Sequence, residues 1–242
     1  MAGVSNNCCF DKIVNKPSVF LVIILFSVFS PTAEAAIVFN DGFVHEIGFT
    51  INNTVVVLDS PTGNPTTLNL VENGFIDNIG VGDSSFVNIF DGVVDTHLES
   101  QYSSQVSVSG GAINGSFWAV DDSQVDITGG FVGSLRASDD AQFLISGGTI
   151  GNQLDAEWSG TIILQGSNFA VDGQPFGYGY LFSVHSGWAE NEPDRRLSGT
   201  LDSGEQIDNL FRIGHSGEVL LVPEPATLLL LGLGTVMLRR KQ

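Results

Sequence analysis

The sequence predicts an all-β protein whose body is a parallel β-solenoid, on three observations. Composition is the first: 242 residues carry 29 glycines and two methionines, with 43% hydrophobic and only 15% charged residues, a balance that favours many short strands and turns over helices. The second is a period. The second residue of a recurring Gly-Gly or Asx-Gly pair falls at Gly74, Gly92, Gly111, Gly130 and Gly148, then at Ser167 after Gly166, with intervals of 18, 19, 19, 18 and 19. The third is that apolar residues keep the same period. Val87 and Ile89, Val106 and Val108, Val125 and Ile127, Phe143 and Ile145, and Ile162 and Leu164 stand five and three residues before successive markers. One such coil cannot bury its own apolar face, whereas coils stacked about 4.8 Å apart share a continuous interior.

Residues 1–35 read as a secretory leader. Lys12 and Lys16 precede an apolar run over 19–29, and Ala33 and Ala35 place small residues where a signal peptidase reads. Eleven apolar residues are too few to span a bilayer comfortably, so cleavage after Ala35 is expected. It would discard Cys8 and Cys9, the only cysteines, and leave an exported chain with no disulfide.

Residues 36–169 are expected to form the solenoid. Alternation before each marker gives one strand. Ile76, Val94, Ile113, Val132, Ile150 and Phe169, two residues after it, open a second, and pairs such as Phe117 and Ala119 or Leu135 and Ala137 give a third. The glycine pair suits a corner where a positive φ or close coil approach excludes a side chain. In the first coil Ile37, Phe39, Gly42 and Val44 match the same template, Asp59 keeps step with Asp83, Asp122 and Asp140, and 61–66 form an inserted loop. A β-sandwich is the competing architecture, but it does not require corner glycines at this period.

After Phe169 the period stops. Over 170–222 strands are expected at 197–201, 207–213 and 219–222, joined by Asp202-Ser203-Gly204 and His215-Ser216-Gly217 turns, as an antiparallel β cap on the open end. Residues 223–242 form the last segment: Pro223-Glu224-Pro225, an apolar stretch over 226–238, then Arg239-Arg240-Lys241. Thirteen helical residues cover about 20 Å against a hydrocarbon core of about 30 Å, and the terminal cations would stay on the cytoplasmic side. A short hydrophobic helix of this kind suits a transient anchor in the inner membrane.

This tail resembles the PEP-CTERM sorting signal of exported bacterial proteins. The resemblance covers about twenty residues, with motif, apolar helix and basic cluster in fixed order. It implies recognition and removal by an exosortase, a membrane-embedded cysteine transpeptidase-like enzyme, and surface or extracellular destinations in exopolysaccharide- and biofilm-forming bacteria. The repeat region is similar, more loosely, to glycine-rich solenoid modules that precede such tails.

Charge narrows the function. The whole chain carries a formal net charge of −18, and between 36 and 225 four arginines and no lysine face 25 acids. Nucleic-acid binding, which needs clustered cations, is excluded as an expectation. Catalysis on anionic pectin is disfavoured by the field, and the Asp121-Asp122 and Asp139-Asp140 pairs recur at a repeat corner, as turn residues do. There is no Gly-x-Ser-x-Gly, no phosphate loop and no zinc spacing among His45, His97, His185 and His215. Asp83, Asp122 and Asp140, with Ser103 and Ser159 at matching steps, form a ladder that could take calcium, although the Gly-Gly-x-Gly-x-Asp roll pattern is missing. If Phe117 and Ala119 point inward, Trp118 points outward in a row with Glu99, Arg136 and Asp155, a set able to stack on a sugar and hydrogen-bond its hydroxyls. The expected function is that of an exported, non-catalytic surface or matrix protein contacting extracellular polysaccharide. A polysaccharide lyase or glycoside hydrolase on the same scaffold, or a calcium-stabilised carbohydrate-binding module, are the alternatives.

Overall fold

The structure is a computed structural model describing residues 22–24, 35–181 and 195–224. Most of the expected leader and the apolar tail lie outside these residues. Among the described residues no helix is long and apolar enough to cross a membrane.

The chain winds as a parallel β-solenoid of about seven turns with three faces. Strands Ala36–Phe39 and Gln153–Ala156 begin and nearly end the first face, with 55–57, 79–81, 97–100, 116–119 and 134–137 stacked in register between them. The second face stacks Val44–Ile47, Thr67–Leu70, Phe86–Ile89, Gln105–Val108, 124–127, 142–145 and 161–164. The third is only two residues wide, from 50–51 through 75–76, 93–94, 112–113 and 131–132 to 149–150. This uninterrupted parallel register is incompatible with a sandwich of antiparallel sheets.

Alternation sends every second side chain into the bore. Leu98, Phe117, Leu135 and Leu154 form one inward column on the first face, and Val87, Val106, Val125, Phe143 and Ile162 one on the second, all buried. Phe117 and Phe143 meet edge to face, their ring centres 5.2 Å apart, so the faces interdigitate across the interior. The corner before the second face is filled by small side chains. Thr66, Ser85, Ser104 and Ser123 stack there fully buried, and the Ser100 and Ser104 hydroxyls lie 2.8 Å apart. The marker glycines turn the chain from the second face to the third. At Gly130 φ is +80°, and a Cβ would stand 2.6 Å from the Gly110 carbonyl oxygen of the preceding coil, so both reasons for glycine act at once.

Three expectations change. The first coil is offset: Ala36–Phe39 belongs to the first face and Val44–Ile47 to the second. Ile37, Phe39, Gly42 and Val44 therefore do not repeat the residues around later markers, and Phe49, preceding Thr50 as Gly74 precedes Phe75, occupies the marker position. The inserted loop after Asp59 masked this offset by lengthening the first interval.

The ladder is also offset. Asp83, Tyr102, Asp121, Asp139, Trp158 and His215 all have positive φ at one turn position, so Asp83 stands one step before the position held by Asp122 and Asp140. The adjacent acids of the Asp121-Asp122 and Asp139-Asp140 pairs hid which member carries the turn.

Finally, the strands after Val171 do not make a purely antiparallel cap. Strand Arg195–Leu201 pairs antiparallel with 166–171 and with 206–211. The chain then resumes winding: 210–213 lies parallel on Gln153–Ala156, and 218–223 parallel on 161–166. Their alternating buried residues Phe211, Ile213, Val219 and Leu221 extend the existing inward columns. Asn209, itself buried, donates its side-chain amide to the carbonyls of Ile150 and Asn152 at 2.8 and 3.1 Å, closing the third face where its strands stop.

Candidate functional site

The first face carries the outward row expected from alternation. Glu99, Trp118, Arg136 and Asp155 are cross-strand neighbours in successive coils, and Arg212 of the resumed winding continues the row. Trp118 is 39% exposed. The Arg136 guanidinium carbon lies 5.4 Å from its ring centre, within cation–π range, and His97 meets the ring edge to face at 4.8 Å.

Neighbouring polar groups fix this row. His97 Nδ1 is 3.0 Å from the Ser116 hydroxyl, and Gln101 donates to Glu99 at 2.7 Å. Arg136 donates to Glu157 at 2.5 Å, an ion pair in which Glu157 is 3% exposed and its Oε1 has no hydrogen-bond partner among the described residues. Burial pushes the Asp155 carboxyl above the ordinary carboxylate range and the Glu157 charge adds to this, against the hydrogen bond from Gln153 and the charges of Arg212 and Arg136. The result is a prearranged surface of one indole, guanidinium groups and carboxylates. It can stack on an apolar sugar face and hydrogen-bond hydroxyls.

Sequence reasoning placed the four row residues together but missed Glu157, which fixes Arg136. Its position follows the inward Ala156, where the chain leaves the strand and alternation no longer gives direction. Gln101, Gln153 and Arg212 were missed as well; only recognition of the resumed winding would have found the last.

Asp83, Asp122 and Asp140 are not gathered. Asp83 accepts from the Asp59 backbone amide at 3.3 Å, Asp59 accepts from the Ser84 amide and the Ser84 and Ser85 hydroxyls, and Asp121 accepts from the Tyr102 amide at 3.1 Å. These bonds tie one turn to the next. Among the described residues no three His, Cys, Asp or Glu side chains lie together as a metal-binding group.

The tail motif emerges directly from the last winding. Strand Glu218–Pro223 places Val222 opposite Gln165 and Pro223 opposite Gly166, so Glu224 follows the folded body without a spacer. Burial, and then the charge of Glu224, raise the nearby Asp202 carboxyl above its usual range. Pro225, the apolar stretch and Arg239, Arg240 and Lys241 lie outside the described residues, as do Ala33 and the leader's apolar run apart from the strand Val22–Ile24.

Comparison with known families matches the PEP-CTERM protein-sorting motif over residues 221–241. This motif implies an exported protein processed by an exosortase. No curated protein and no solved structure matched the chain.

Proposed function

We propose that the protein is a non-catalytic, exported solenoid that reaches the cell surface or extracellular matrix and contacts exopolysaccharide there. In this reading signal peptidase removes the leader after Ala35, and an exosortase acts near Pro223-Glu224-Pro225 while the apolar tail holds the chain transiently in the inner membrane. The Glu99, Trp118, Arg136 and Asp155 row is the contact surface.

The observation that carries the reading is the Trp118 and Arg136 stack, fixed from behind by Glu157 and bordered by hydrogen-bonding side chains. An aromatic ring held in place can accept a sugar face at low entropic cost. The Asp121-Asp122 and Asp139-Asp140 pairs favour a backbone role over glycoside hydrolysis, because Asp121 and Asp139 occupy turn positions at φ near +57° and +58°. Glycan-array binding by the processed protein, run beside Trp118→Ala, tests the contact. Retention of a glycan by the parent and its loss in the variant, with unchanged thermal unfolding, is the expected result. Equal retention by both moves the contact off this face, and no retention by either reduces the protein to a scaffold.

A further inference from the structure

The first winding carries little charge for a strongly acidic molecule. Residues 36–51 contain two of the chain's 27 acids, Asp41 and Glu46, and Asp41 is held by His45 at 2.8 Å. Phe43, Val44 and Phe49 are 68%, 67% and 58% exposed there. Val44 and Phe49 border an apolar hollow with Ile37, Phe39 and Ile51. Such a cluster is unusual for a free end, since exposed apolar groups are ordinarily scattered.

The backbone is open at the same place. Among the described residues Val44–Ile47 has a strand neighbour only on the side of Thr67–Leu70. The outer edge of Ala36–Phe39 is taken by Val22–Ile24, antiparallel, with Ile23 opposite Ile37. That covering strand belongs to the expected leader, so its removal would leave the edge unpaired. The opposite end differs. Arg195 and Arg196 lie antiparallel along Phe211 and Leu210, and Gly179 and Tyr180 along Leu221 and Leu220, blocking both outer edges.

We propose that the processed protein binds a second copy of itself head to head, with the two Ala36–Phe39 edges antiparallel about a two-fold axis and the exposed Phe43, Val44 and Phe49 enclosed between the copies. The inference rests on the proposed leader removal. The edge accepts an antiparallel apolar strand, as Val22–Ile24 demonstrates, and an identical copy supplies such a strand together with a matching apolar end. Contact at this end also brings together few like charges. Because the far end is blocked, association closes at two chains rather than growing into a filament.

The test expresses the full-length gene in an export-competent host carrying an exosortase. The processed protein is identified by N-terminal sequencing and its mass measured by light scattering over a concentration series. The expected species begins at Ala36 and has twice the mass of one chain. Val44→Asp with Phe49→Asp should give one chain with unchanged circular dichroism, whereas Phe90→Asp, at an exposed site away from the end, should leave the pair intact. A correctly processed protein that stays single at every concentration, or that forms higher assemblies, overturns the proposal. So does a pair that survives the double substitution. An N-terminus upstream of Ala36 overturns it through the leader-removal premise, and does so without touching the glycan-binding result.

Discussion

At the scale of single residues, the balance between a buried carboxylate and the guanidinium paired with it controls the outward row. Glu157 is almost fully buried and Arg136 about one-third exposed, so the pair is only partly shielded from water. Replacing Arg136 by Ala leaves Glu157 uncompensated, and a cost of about 1–3 kcal/mol is expected, discounted from a fully buried pair for the solvent that reaches Arg136. Urea unfolding measures it. Adding Glu157→Gln should recover part of the loss, since a neutral amide is cheaper to bury than an unpaired charge. Additive destabilisation by the two changes would show that they do not act as a pair. The direction of Trp118 was legible because strand alternation is strict on the first face. Glu157 was not, because a turn residue's burial depends on what the neighbouring coil presents to it. The one-step offset at Asp83 has a related cause, as two adjacent aspartates give the same composition whichever one carries the positive φ.

At the scale of the strand and corner, glycine substitutions separate close packing from composition. At Gly115 an added Cβ would lie 1.7 Å from the Thr96 carbonyl oxygen, and at Gly130 the clash with Gly110 is joined by a left-handed φ. At Gly80, within a first-face strand, nothing lies within 4 Å. Gly115→Ala and Gly130→Val should therefore each cost about 2 kcal/mol or more, through forced coil separation or backbone strain. Gly80→Ala should be neutral or stabilising by up to about 1 kcal/mol, by restricting the unfolded chain. Thermal unfolding of the three variants checks the order, and equal losses at all three would remove the stacking explanation. The central coils were readable because marker, inward pair and turn recur at 18 or 19 residues. The first coil and the last winding were not. A loop after Asp59 shifted the first, and the antiparallel strands Gln174–Pro175 and Arg195–Leu201 come before the strand that lies on Gln153–Ala156, so no fixed period connects them.

At the scale of the molecule, a solenoid's windings meet only their neighbours, and one complete winding can therefore be removed without reconnecting the rest. Deleting 105–123 joins Ser104 to Gln124. These ends fit because Gln105 and Gln124 are register partners, so 124–127 can settle on Phe86–Ile89 as Gln105–Val108 does now. The inward columns remain apolar across the seam: Val87 meets Val125, Ile89 meets Ile127, Val94 meets Val132 and Leu98 meets Leu135. The expected product is a shorter folded protein with a strand-type circular dichroism spectrum, cooperative unfolding and a somewhat lower midpoint, reflecting one fewer interface between coils. Deleting 105–113, about half a winding, should prevent native folding, since the chain left between 97–100 and 116–119 would be too short to pass round the second and third faces and bring these register partners together. Comparing the two deletions by circular dichroism and thermal melting tests the winding itself rather than any one contact. Survival of the half-winding deletion, or collapse of the full-winding one, would mean that the coils depend on contacts beyond their immediate neighbours.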